Sequence, residues 1–225
     1  MGNSTEEGTT VFMDLDCANN TQLEVSSLIL TWNADRSADF IELLQQGFQL
    51  GLNAEASIRE VICGQFGVTH EYLDKRVNTI FLNGKPVDDV DSAMISAGST
   101  LALSAAMPGF VGAALRKGGF YARMRQEITH DNKESWFSGG SAFFVLKLYN
   151  LVAKELGPLF LEWGILIRRR DLERFFARRS PKFWSGCLRR VINGREIASA
   201  AIGKGAWLGK SELIHFRSLD ENAES

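Results

Sequence analysis

"TIFLNGKPVDDVDSAMISAGSTLALSAAMPGF", residues 79–110, decides how this chain is read. Two short apolar runs meet at Asn83-Gly84, a pair that tolerates the positive φ of a tight hairpin turn. Asp88, Asp89 and Asp91 solvate the loop that follows. Gly98-Ser99 marks another turn, and "TLALSAA" returns as an alternating strand until Met107-Pro108-Gly109 stops it.

Upstream, "SIREVICGQF" reads as an amphipathic helix. Ser57 and Glu60 stand in the S-x-x-E relation, in which each side chain satisfies an orphan amide of the first turn. Ile58, Val61, Ile62 and Phe66 form one apolar stripe, and Gly67 ends the helix. Before it, "FQLGLN" alternates as a strand and "SADFIELLQQGF" predicts a short helix capped by Ser37. "TQLEVSSLILTW" predicts a strand with Leu23, Val25, Ser27, Ile29 and Thr31 on one side.

On these residues the stretch 48–109 resembles the β-grasp superfold of ubiquitin and of the small sulfur carriers of thiamine and molybdopterin synthesis. There a hairpin, a helix and an "x-NG-x-x-V" strand precede a glycine turn and a final apolar strand. The resemblance implies a domain that presents a sheet face or edge to another protein. Two departures stand beside it. A helix around 38–47 separates the first two strands, and the chain runs on past the point where the carriers end in a Gly-Gly carboxylate.

Downstream, "FVGAALRKGGFYARMR" is a glycine-rich basic connector and "DNKESWFSGGS" a loop, with a domain boundary at 125–140. "AFFVLKLYNLVAKELGP" predicts a helix ended by Gly157-Pro158, and "DLERFFARRSP" a second one closed by Ser180-Pro181. "RRVINGREI" (189–197) echoes "TIFLNGKPV" (79–87); two independent hairpins sharing a common turn dipeptide account for the match. The expected fold class is α+β. A tail at 1–10 precedes a β-grasp-like domain with its connector at 11–125. A basic, mixed, helix-rich domain at 140–217 ends in a hairpin, and a tail occupies 218–225.

The net charge of −2 hides a division. Residues 1–110 carry 15 acids and 5 bases, and residues 111–225 carry 12 acids and 20 bases. Such a split suggests two units, or one unit with a charged seam. Arg168, Arg169, Arg170, Arg174, Arg178 and Arg179 form the densest cluster. On a helix, Arg170, Arg174 and Arg178 recur every four residues, opposite Leu172, Phe175 and Phe176. They read as a solvated face neutralised by the acidic half, or as an anion site for an acidic partner protein. The acidity of the whole chain argues against a dedicated nucleic-acid binder.

Other chemistries fail on spacing. "AIGKGAWLGKS" (201–211) misses the phosphate-loop pattern by one residue, since Lys204 stands where Gly is required. The aspartates at 88–91 lack the closing Glu of a calcium loop. His70, His130 and His215 lie at no metal-ligand spacing from Cys17, Cys63 or Cys187, and the odd, scattered cysteines argue against a disulfide framework. There is no G-x-S-x-G elbow, and Cys63 reads as a packed thiol. The apolar stretch 141–167 is interrupted by Lys147, Lys154, Glu155 and Glu162, so it predicts no membrane span.

These readings converge on a non-enzymatic cytoplasmic interaction or adaptor protein with a protein partner, without cofactor, metal or catalytic residue. The resemblance implies one alternative, a sulfur-carrier-like protein of cofactor or sulfur metabolism. That requires a free glycine carboxylate, and hence cleavage after Gly118-Gly119. Nucleic-acid binding through the Arg-rich half is the second alternative.

Overall fold

The computed structural model describes residues 25–106, 109–119, 143–197 and 211–221. The expected tail 1–10, the loop 131–141 and the segment 201–210 lie outside them. Helices and strands both contribute heavily, and the α+β class holds.

Among the described residues twelve strands run in chain order: β1 (Val25–Trp32), β2 (Phe48–Gly51), β3 (Ala56–Ser57), β4 (Thr79–Leu82), β5 (Lys85–Pro86), β6 (Met94–Ile95), β7 (Thr100–Ser104), β8 (Phe143–Tyr149), β9 (Ile165–Arg168), β10 (Cys187–Ile192), β11 (Arg195–Glu196) and β12 (Leu213–Asp220). The helices are α1 (Ile41–Gln46), α2 (His70–Lys75), α3 (Gly109–Leu115), α4 (Asn150–Trp163) and α5 (Arg169–Ala177). Ten strands form one sheet, in the order β11-β10-β1-β12-β9-β2-β8-β7-β4-β5. The stretches 11–125 and 140–217, read from the sequence as consecutive units, thus interleave in one sheet, with β1 between β10 and β12 and β8 between β2 and β7. Strand β12 also carries order to Asp220, three residues past the expected end at 217.

The sheet repeats itself about its centre. Gln49 of β2 pairs with Leu166 of β9, and outward from that pair the two halves match strand for strand. β8 and β12 are antiparallel to β2 and β9, and β7 and β1 are parallel to β8 and β12. β4 and β10 are antiparallel again. Gly47 and Gly164, each at φ +108°, lead into β2 and β9 after α1 and α4. The two Asn-Gly turns agree in detail. Asn83 and Asn193 sit at φ +52° and +47°. The Asn83 side-chain oxygen accepts from the Thr100 amide at 2.8 Å, and that of Asn193 from the Ser27 amide at 2.7 Å. Val87 donates to the Ile80 carbonyl and Ile197 to that of Arg190, both at 2.9 Å. The echo in the sequence therefore marks equivalent positions of one architecture rather than two unrelated hairpins.

One face of this sheet carries the core. Leu28, Leu30 and Trp32 of β1 and Phe144, Leu146 and Leu148 of β8 join one buried cluster with Phe40, Leu44, Phe160, Leu161, Leu172 and Phe175 from the helices. In β1 the buried face is thus the even-numbered one. The run read as a helix over 142–157 divides at Asn150, whose φ of +54° ends β8 and starts α4. The alternation of buried residues in "FFVLKLY" made it a strand. Helix α4 then continues through Gly157-Pro158, because Phe160 and Leu161 beyond them are wholly buried. Gly157 lets the helix lie against Leu44, whose Cδ1 would be 2.7 Å from an added Cβ.

The Ser57–Glu60 cap forms as read. The Ser57 amide and hydroxyl donate to Glu60 Oε2 at 2.9 and 2.8 Å, and the Glu60 amide donates to Ser57 Oγ at 3.3 Å. The turns beyond it widen to a π-helix at Glu60–Gln65, with Phe66 donating to the Val61 carbonyl. Ser37 is no cap; its amide and hydroxyl both donate to Asp35.

The Ser57 backbone and hydroxyl hold the Glu60 carboxyl below its ordinary value of 4.5. A lowered folded pKa contributes stability that is present above the unfolded value and lost as pH falls through the folded one. The gap in urea midpoint between the native chain and Glu60→Gln is expected to be full above the carboxyl's ordinary value and to close as pH falls through its lowered folded value. A gap independent of pH would show that the carboxylate charge does not matter there.

Candidate functional site

Strand alternation places a second set of side chains on the sheet face turned away from the core. Across its middle run His215, Leu166, Gln49, Val145 and Thr100, each on the strand beside the last. To one side lie Val191, Ile29 and Arg217, and to the other Leu213 with Arg168 and Lys147 with Ala102 and Phe81. Arg189 pairs with Thr31 on the same face. Among the described strand residues of this face Lys147, Arg168, Arg189, His215 and Arg217 are basic, and Glu196 is the acid.

The glycines shape this surface. A Cβ on Gly47 would sit 3.1 Å from Lys147 Cε and Cγ, so the lysine stem lies across the glycine. At the equivalent position a Cβ on Gly164 would overlap the His215 ring and stand 3.1 Å from Arg217 Cγ. Arg217 Nε donates to the Glu162 carbonyl at 2.7 Å. Among the described residues neither Lys147 nor Arg217 has a carboxylate partner. Burial, aided by Arg217, pushes the His215 imidazole below its ordinary value, so it is neutral at pH 7 and the fixed charge comes from the lysine and arginines. Gln49, Val145, Leu213 and Leu219 are buried on this face although outside the core cluster, and Gln49 Oε1 accepts no hydrogen bond among the described residues.

The predicted arginine cluster is divided by the fold. Arg168 ends β9 on the second face, whereas Arg169, Arg170 and Arg174 lie on α5 over the core, with Arg178 and Arg179 at its end. The helix buries Leu172, Phe175 and Phe176 as the sequence implies. Its charges are met locally. Arg169 pairs with Glu173 at 3.2 Å, and Arg170 and Arg174 reach Asp171 at 3.9 and 3.7 Å. Arg178 and Arg179 share Glu42 of α1, and Arg179 stacks 3.9 Å over the Phe175 ring. Glu42 belongs to the acidic half, so these two arginines are neutralised across the halves.

A shallow depression of about 410 Å³ lies between α2 and α4, lined by Thr69, Glu71, Tyr72, Lys75, Arg76 and Glu155. Its groups satisfy one another. The Tyr72 hydroxyl donates to Glu155 Oε2 at 2.7 Å, and Arg76 forms an ion pair with the same carboxylate. Burial and the neighbouring Glu155 raise the Tyr72 phenol, while Arg76 and Tyr72 lower the Glu155 carboxyl. This is a second bridge between the halves rather than a set of groups poised to react.

Gly118 and Gly119 are held in a turn. The Gly118 amide donates to Asp88 at 2.9 Å, that of Gly119 to the Arg116 carbonyl at 3.1 Å, and Lys117 Nζ to the Leu73 carbonyl at 3.0 Å. Among the described residues no group of three His, Cys, Asp or Glu side chains is placed to hold a metal. None of the described helices is long and apolar enough to cross a membrane.

Sequence reading missed the basic face because it treated 143–149 as helical, where Lys147 has no strand neighbours to share a face with. The signal was present as the alternation of Phe144, Leu146 and Leu148 with Val145, Lys147 and Tyr149. Set against protein-family models, curated proteins and solved structures, the chain matches none.

Proposed function

We propose that this protein is a non-enzymatic interaction module that docks an acidic partner protein on the second face of its sheet. The observation that carries this reading is the charge of that face, where Lys147 and Arg217 have no carboxylate partner among the described residues, beside Arg168 and an Arg189 that pairs with Glu196 at 3.5 Å. A face suits docking better than an edge here. The outermost strands β5 and β11 are two residues long, and they carry Pro86 in one case and Arg195 and Glu196 in the other. Short, charged or proline-bearing edges resist strand addition. The strand order β2-β8-β7-β4-β5, with β7 and β8 parallel, supports the β-grasp resemblance and the sheet-face docking that goes with it. The free thiols of Cys63 and Cys187 suit the reducing cytoplasm.

Salt and charge reversal test the reading together. Tagged full-length protein is exposed to extract of its native cell. The captured protein is expected to leave as salt is raised, and to be lost with Lys147→Glu/Arg217→Glu but kept with Arg170→Glu/Arg174→Glu. Equal capture by both double variants, or capture of nucleic acid instead of protein, overturns it.

A further inference from the structure

Neither half of the chain owns a complete half of the sheet. Strand β8 fills the place between β2 and β7, and β1 fills the place between β12 and β10. Each exchanged strand is therefore paired on both sides with the other half. Its core-facing residues are buried there: Leu28, Leu30 and Trp32 on β1, and Phe144, Leu146 and Leu148 on β8, are at most 1% exposed. Side chains fasten the exchange as well. The Trp32 indole donates to Ser218 Oγ at 2.9 Å, and the Asn193 turn closes on Ser27.

We infer that residues 25–119 and 143–221 are complementary halves that hold each other by reciprocal strand exchange, so that the fold forms from them in trans. The binding partner of the N-terminal half is thus a C-terminal half, whether from a severed chain or from a second copy of this one. Without β8, strands β2 and β7 face each other across a gap of about 10 Å, twice the strand spacing. Their amides and carbonyls on that side are then unpaired, and the apolar faces of Phe48, Leu50, Leu101 and Leu103 lose their neighbour. The same holds for β12 and β10 without β1. Only the stretch 120–142 joins the halves, so severing it leaves every strand pairing described above intact.

A protease recognition sequence inserted between Gly119 and Phe143 of the full chain provides the test. After cutting, native mass spectrometry and gel filtration are expected to show one species with both pieces at 1:1, which denaturant separates and dialysis restores. The melting temperature of the cut protein is expected to rise by about 3–5 °C for each tenfold increase in concentration, while that of the uncut chain stays constant. Folded pieces that elute apart overturn the inference. As a second measurement, residues 1–130 and 131–225 are produced singly and together. A cooperative melt is expected from the pair alone; such a melt from either piece by itself, or no complex from the two, overturns the inference. The outcome is independent of the docking proposal, since no partner protein enters it.

Discussion

Gly164→Ala is expected to lower stability by about 3–4 kcal/mol, enough to remove a large share of the total for a domain of this size. Gly164 has φ +108° and ψ +134°, a backbone region that is essentially closed to side-chain-bearing residues. Its added Cβ would also overlap the tip of the His215 ring and stand 3.1 Å from Arg217 Cγ, so the ring must turn aside to admit it. Gly84 provides the contrast. It sits at φ +76° in a turn with nothing within 4 Å of an added Cβ, so Gly84→Ala is expected to cost about 1 kcal/mol. Urea unfolding of the two variants measures the difference, and equal losses would show that the entry to β9 relaxes freely. Gly47→Ala, at the equivalent entry to β2, meets Val145 Cγ1 at 3.0 Å and the Lys147 stem at 3.1 Å, a looser fit than the His215 overlap, and falls between them.

Trp32→Ala is expected to cost about 3–5 kcal/mol, the range for removing a large aromatic side chain from a packed core. Trp32 is fully buried, its ring 5.4 Å from Phe183 in an edge contact and 6.2 Å from Trp184 in a stack. It comes from β1 of the acidic half, whereas Phe183 and Trp184 belong to the basic half. The loss is therefore expected to lower a single unfolding transition seen equally by circular dichroism and by tryptophan fluorescence. Two transitions, with only one of them shifted, would deny the shared core.

Local structure was legible where one signal outweighed its rivals. The Asn83-Gly84 and Asn193-Gly194 turns, the Ser57–Glu60 cap and the apolar stripe from Ile58 to Phe66 stand where their chemistry puts them. Helix α5 does too, because "DLERFFA" gathers Leu172, Phe175 and Phe176 on one side. Reading failed where signals of both periods overlapped. In "AFFVLKLYNLVAKELGP" the two periodicities follow without a break, and the junction is a lone Asn150 in a left-handed conformation. Gly157-Pro158 is a stop signal that packing against Leu44 overrides.

The arrangement of β1 and β8 could not be read at all, since strand patterns state which face is buried and never which neighbour buries it. The six arginines, likewise, are one group only in sequence. Sequence adjacency joined Arg168 to the others, but the end of β9 turns it toward the opposite face. Lys147 and Arg217, which share that face with it, lie 70 positions apart in the chain.

The exchange of β1 has a cost during synthesis. Trp32 and its partner Ser218 are 186 positions apart, so β1 leaves the ribosome long before the strand that covers it exists. At about 5–20 residues per second, that delay is on the order of 10–40 s. Throughout it a greasy ribbon is held open to any other nascent chain, and the newborn protein must be shielded or must collapse reversibly until its last segment arrives.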